Sequence, residues 1–200
     1  MLKLKKIAVT GGLAVGKSTV CQFFRELGAY VVSADEIVHK LLSSNTGVID
    51  QVIRLLGRDI LSGREIDRKK IAEKVFFCPD KLRALEQIIH PAVFNEIEKK
   101  YKQIKEEGKY RLFVAEVPLL YETNAEGLFD AVLAVASDPA LCKQRFLQDK
   151  QHTETEFHQR MTRQLDQEKK ARRANYICLN NSTVEALRAQ VEALFPILTS

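Results

Sequence analysis

Apolar and polar positions along the chain switch repeatedly between two regimes. Ile7, Ala8 and Val9 form a short apolar run ahead of a glycine-rich stretch. Beyond it, Val20, Phe23, Phe24 and Leu27 recur at helical spacing, and Gly28 reads as the helix C-cap. Residues 29–34 predict a second short buried strand, and residues 36–42 a helix. From 43 to 107 the chain reads as mostly helical and polar-faced, without strand alternation. Asn45-Thr46-Gly47 and Ser62-Gly63-Arg64 are turn signals, and Asp67 is a helix cap. A longer helix starts at Pro79-Asp80 and is interrupted at His90-Pro91, because Pro91 cannot donate to the helical ladder. Residues 111–117, 129–135 and 176–179 predict a third, fourth and fifth strand. Ser137-Asp138-Pro139 caps the helix after the fourth, and a last helix covers 183–194.

Strands alternating with helices predict an α/β fold with a parallel five-stranded sheet. The stretch between the second and third strands is too long for one crossover helix, so it reads as a helical insertion carrying acceptor contacts. The predicted division is a core of 1–35, 109–145 and 174–200, an insertion of 36–108 and a helical lid of 146–173. Two hundred residues suit one domain with such an insertion.

Composition adds little beyond a polyanionic ligand. The net charge of +5 fits one, but is too mild to argue for nucleic acid. Cys21, Cys78, Cys142 and Cys178 are far apart in sequence and form no C-x-x-C pair, which points to reduced thiols in a cytoplasmic setting. Residues 1–6 carry no long apolar segment of the secretory kind, and no run approaches 18 apolar residues, so no membrane contact is expected.

The chemistry starts at Gly11 to Ser18, which fit G-x-x-x-x-G-K-[ST], the phosphate-binding loop, set between a strand and a helix as the mechanism requires. Glycines let the backbone curl so that successive N–H groups face phosphate oxygens, and the following helix adds its positive end. Lys17 is expected to reach the β- and γ-phosphates of ATP, and the Ser18 hydroxyl to hold Mg²⁺. Ala14 and Val15 stand inside the loop, which tolerates them unless a position needs positive φ. Asp35, after the second strand, is read as a general base or nucleophile-orienting carboxylate, the alternative being an N-cap. For Glu116, at the end of the third strand, a structural role is preferred to help for Mg²⁺ through water. The charged run from 154 to 173, with Arg160, Arg163, Lys169, Lys170, Arg172 and Arg173, is either a solvated face or a lid that brings arginines onto the phosphates.

Several blocks together resemble the dephospho-coenzyme A kinases. They are residues 10–19, Ser33-Ala34-Asp35, Ile66-Asp67-Arg68 with Val75-Phe76, Ile89-His90-Pro91, Val117-Pro118-Leu119-Leu120-Tyr121-Glu122, and Ala174-Asn175-Tyr176-Ile177 with Asn180. The resemblance implies a P-loop NTPase three-layer fold and transfer of the γ-phosphate of ATP to the ribose 3′-hydroxyl of dephospho-CoA, the last step of coenzyme A synthesis. It implies that Ala14, Val15, Gly16, Lys17, Ser18 and Thr19 bind the ATP phosphates and that Asp35 engages the acceptor hydroxyl. It also implies acceptor contacts at His90 and a catalytic arginine, Arg145, on the lid-side helix. ATP and dephospho-CoA are the expected partners, with neither nucleic acid nor membrane, in a monomer or small homo-oligomer. The family loop usually reads Gly-Gly-Ile-Gly-Ser-Gly-Lys-Ser, so Ala14 and Val15 replace its Gly-Ser. Asp149 stands where arginine is common, Asn175 where aspartate is, and Cys178-Leu179 replace Ile-Asp. The alternatives are another small-molecule kinase acting on a nucleoside or nucleotide, and a nucleotide-operated switch or nucleic-acid-associated ATPase. His90-Pro91 and the insertion argue against the first. The second lacks a guanine-reading Asn-Lys-x-Asp and a basic tract interleaved with aromatics.

Overall fold

The computed structural model describes residues 4–63, 65–148, 153–162 and 164–200. Arg64, Asp149 and Arg163, named above, lie outside these residues. In chain order the elements are β1 (Lys5–Gly11), α1 (Lys17–Glu26), β2 (Tyr30–Ser33), α2 (Ala34–Ser44), α3 (Thr46–Leu56), β3 (Leu61–Ser62), β4 (Glu65–Ile66), α4 (Arg68–Phe76) and α5 (Pro79–Glu107). They continue with β5 (Leu112–Glu116), β6 (Ala131–Ala136), α6 (Pro139–Gln148), α7 (Glu154–Thr162), α8 (Gln167–Arg173), β7 (Tyr176–Leu179) and α9 (Val184–Thr199). The described chain divides into two compact units, Met1–Ser33 with Tyr101–Ser200, and Ala34–Lys100.

The first unit is built on a five-stranded sheet in the order β2-β5-β1-β6-β7, every pairing parallel. Parallel strands are covered on both faces, and their sequences read as continuous apolar runs for that reason. Ile7, Val9, Leu112, Val114, Leu133 and Val135 are all fully buried, and Val20, Phe23 and Phe24 bring the apolar face of α1 against them. Central β1 pairs with β5 on one side and β6 on the other, with Val9 opposite both Glu116 and Leu133. Strand order thus diverges on either side of β1, and in open parallel sheets ligands bind beyond the carboxyl ends of the strands at such a point.

The second unit is mainly helical. Asp67 caps α4 as expected, its carboxylate accepting from the Lys69 and Lys70 N–H groups. Two expectations fail in this region. The first is the break at His90-Pro91, because α5 runs unbroken for 29 residues with Pro91 inside. A proline removes one ladder bond and crowds the preceding turn, but Ile89 and Val93 on either side of it are buried, and their packing outweighs that local loss. The second is the absence of strands, since Leu61 pairs with Ile66 and Ser62 with Glu65 in a small antiparallel hairpin. Two residues per strand are too few to show alternation. Asp35 does not stand ahead of the helix as an N-cap: α2 begins one residue earlier, at Ala34, and Asp35 lies exposed in its first turn.

Candidate active site at the phosphate loop

Strand β1 ends at Gly11, and α1 starts at Lys17 behind Gly16, with no side chain capping the helix. Its N-cap residue, Gly16, brings no side chain to the first turn of α1, the arrangement that accepts an anion. Both bracketing glycines are obligatory. Gly11 has φ 152° and Gly16 φ 97°. A Cβ would lie 2.3 Å from the Val135 carbonyl oxygen at Gly11, and 2.3 Å from Asn180 Nδ2 at Gly16. Between them Ala14 has φ 56°, so the loop does place a left-handed residue where alanine stands. Left-handed backbone costs a non-glycine residue about 1 kcal/mol or slightly more. Val15 is fully buried in the core.

Lys17 folds back onto its own loop. Its Nζ donates to the Gly12 carbonyl at 2.7 Å and to that of Gly11 at 3.4 Å. The Ser18 hydroxyl, exposed at the mouth, donates to Glu116 Oε1 at 2.8 Å. The parallel register sets this pair: Glu116 ends β5 opposite Val9, just before β1 runs into the loop. A hydroxyl and a carboxylate are hard oxygen donors, so the residues present fit a magnesium ion.

A network of side chains holds the loop from behind. Asn180, buried just after β7, donates from Nδ2 to the Val15 carbonyl at 2.9 Å. Its own carbonyl accepts from Ser137 Oγ at 2.7 Å and from Arg145 at 2.9 Å. Arg145 also donates to Ser137 Oγ at 3.0 Å and to Asn180 Oδ1 at 3.4 Å. The predicted Arg145 is thus seated on the loop's supports, with part of its donor set engaged. Ser137 and Gln167 belong to the same support. Gln167 Nε2 donates to the Ser137 carbonyl at 2.8 Å, and the Ser137 N–H donates to Gln167 Oε1 at 3.4 Å. The sequence marks Ser137 only as part of a helix cap and Asn180 only through the family resemblance, and no motif announces Gln167.

The remaining predicted residues stand as follows. Thr19 is half-buried in the first turn of α1. Asp35 and His90 lie in the second unit, Asp35 on α2 and His90 half-buried in the middle of α5. Burial holds the His90 imidazole below the usual histidine range, partly opposed by the Glu86 carboxylate. In the same unit Arg68 NH1 lies 3.1 Å from His39 Nδ1. In the charged run, Arg172 pairs with Glu168 at 3.5 Å, Arg173 pairs with Glu126, and Lys170 is buried. Asn175 exchanges two hydrogen bonds with Val132: its N–H donates to the carbonyl at 3.0 Å, and its Oδ1 accepts from the N–H at 2.8 Å. All four cysteines are free thiols, and burial pushes that of Cys178 up to about 11.

The model of the dephospho-CoA kinase family matches residues 5–186. The dephospho-CoA kinase of Protochlamydia amoebophila is 48% identical over 196 residues, covering 98% of this chain and 97% of that one. Among solved structures, TT1252 from Thermus thermophilus superposes with a TM-score of 0.83 at 27% identity, over 99% of this chain and 100% of that one. A dephospho-CoA kinase from Campylobacter jejuni gives 0.66 at 26% identity, over 98% of each. With a phosphate loop closing a five-stranded parallel sheet, and a family match running from β1 into α9, the chain belongs to the dephospho-CoA kinase family.

Proposed function

We propose that this chain transfers the γ-phosphate of ATP to the ribose 3′-hydroxyl of dephospho-CoA, with Mg²⁺ at Ser18 and Glu116. The observation that carries the reading is the joining of Ser18 Oγ to Glu116 at 2.8 Å at the mouth of an uncapped helix, in a chain of this family. Phosphoryl transfer needs in-line positioning and charge neutralisation more than covalent chemistry.

The loop N–H groups and the start of α1 hold the phosphates. Lys17 leaves the Gly11 and Gly12 carbonyls for the β- and γ-phosphates, exchanging neutral acceptors for charged ones. Ser18 and Glu116 supply the oxygen ligands for the ion, which would neutralise charge on the β- and γ-oxygens when bound. Asp35 orients the acceptor hydroxyl and takes its proton late, while His90, uncharged at neutral pH, contributes to acceptor binding through hydrogen bonding or packing. Arg145 brings its remaining N–H donors to the phosphate side of the loop. Residues 36–108 serve as the acceptor-binding insertion.

The test is ADP release by the purified chain, with dephospho-CoA compared against a panel of nucleosides and nucleotides. ADP formation dependent on dephospho-CoA, with coenzyme A as product, is expected. Equal or better turnover of a nucleoside would move the chain to the other small-molecule kinases.

A further inference from the structure

We propose that α8 is a fixed staple between the phosphate loop and the segment after β5, with Glu122 and Lys170 as positioning residues. On this assignment residues 165–173 stay with the core throughout catalysis and are no part of a moving lid. The inference rests on the kinase reading above.

Lys170 is a charged side chain with no exposure at all. Its Nζ pairs with Glu122 Oε1 at 2.8 Å and donates to the Pro118 carbonyl at 2.7 Å. That carbonyl also accepts from Oγ1 of Thr10, the residue before Gly11, at 3.3 Å. Glu122 Oε1 in turn accepts the Leu165 N–H at 2.7 Å, one residue ahead of Asp166, the N-cap of α8. The buried Lys170 and the half-buried Glu122 therefore join the turn after β5 to the start of α8, and the Pro118 carbonyl they share with Thr10 links both to the end of β1. The helix packs against β1 and β6. At its first residue Gln167 grips Ser137, and its Cβ lies 3.6 Å from where a Cβ on Gly12 would stand.

Stability alone does not account for this pair. Desolvating two charges roughly cancels their attraction, and apolar residues of similar volume are often as stable or more so. Glu122 Oε2 adds a further cost, being buried with no hydrogen-bond partner among the described residues. What the ions provide, and hydrocarbon does not, is direction. They hold the Pro118 carbonyl and the Leu165 N–H at once. Pro118 is two residues beyond Glu116, so the pair fixes the reach of the carboxylate that meets Ser18.

Two measurements test the staple. In amide hydrogen exchange followed by mass spectrometry, α8 is expected to exchange as slowly as β1 and β6, and equally with and without ATP and dephospho-CoA. Exchange of α8 much faster than the sheet, or slowed by the substrates, overturns the proposal. This readout needs no turnover, so it stands apart from the assay of the wild-type chain with dephospho-CoA, which tests the kinase reading itself. The second measurement uses variants. Lys170→Met strands the Glu122 charge and is expected to lower Tm strongly. Glu122→Leu/Lys170→Met restores an apolar contact, with Tm near wild type, yet kcat drops about tenfold while KM for ATP changes far less. A double variant with wild-type kcat, or a Lys170→Met chain with wild-type Tm, refutes the assignment.

Discussion

Gly16→Ala tests the support of the loop from two sides at once. The position has φ 97°, and a Cβ there meets Asn180 Nδ2 at 2.3 Å. That nitrogen has nowhere to go. It is bonded to the Val15 carbonyl at 2.9 Å, and the Asn180 carbonyl is held by Ser137 Oγ at 2.7 Å and Arg145 at 2.9 Å. The methyl group must expel the amide from its bond, stranding the Val15 carbonyl, at about 1–3 kcal/mol. Backbone strain at positive φ adds about 1–2 kcal/mol. The sum is about 2–5 kcal/mol, or a Tm lowered by about 5–15 °C in a chain of this length. Asn180→Ala alone loses the bond without the strain. Adding Gly16→Ala to it should then cost only the strain, so the two changes together fall short of additivity by about 1–3 kcal/mol. Denaturant unfolding of the four proteins measures the cycle, and KM for ATP should rise in every variant. Additive losses, or a Gly16→Ala chain with wild-type Tm and ATP affinity, would show that Asn180 does not position the loop.

Other consequences follow from the same geometry. Asp35→Asn should bind ATP as the wild type does and lose about 10²-fold or more in turnover, seen by comparing nucleotide titration with steady-state rate; unchanged turnover removes Asp35 as the base. Glu116→Gln should raise the Mg²⁺ concentration for half-maximal rate by about tenfold, and an unaltered Mg²⁺ titration would leave Glu116 with a purely structural bond to Ser18. For His90, burial lowers the folded-state pKa, so the unfolded chain binds the proton more readily. Its contribution is complete above the ordinary histidine value, about 6.5, and is lost as pH falls through it towards the lower folded value. His90→Gln should flatten the decline in unfolding free energy between about pH 7.5 and 5, and an identical slope would refute this.

What the sequence revealed of this site depended on how local the causes were. β1, the loop and α1 were legible because an apolar run, a glycine pattern and a helical stripe are each written within a few residues. Tyr176–Leu179 was legible for the same reason, and its observed bounds match the predicted ones. The Ser18–Glu116 contact spans 98 positions and exists because β5 lies beside β1 in parallel register, which no local pattern states. The grip of Asn180 on Val15 spans 165 positions. Pro91 misled because the rule against interior proline weighs only the local ladder, whereas α5 is held by buried residues on both sides of it.

The departures from the family pattern fall where the main chain, not the side chain, does the work. At 14 and 15 a glycine and a serine give way to alanine and valine. Ala14 accepts left-handed backbone at about 1 kcal/mol. Val15 next to it is wholly buried, and burying such a side chain contributes about 1.5–3 kcal/mol. The exchange is therefore at worst neutral for folding, and it leaves the Val15 carbonyl on Asn180. Asn175 follows the same logic. Its Oδ1 accepts the Val132 N–H at 2.8 Å, as an aspartate oxygen in that place would, and its own N–H closes the pair at 3.0 Å. Loss of the charge at 175 leaves the β6-side bond intact. The loop thus tolerates side-chain change at 14 and 15 while depending on Gly11 and Gly16, where a single methyl group would strike a carbonyl or an amide.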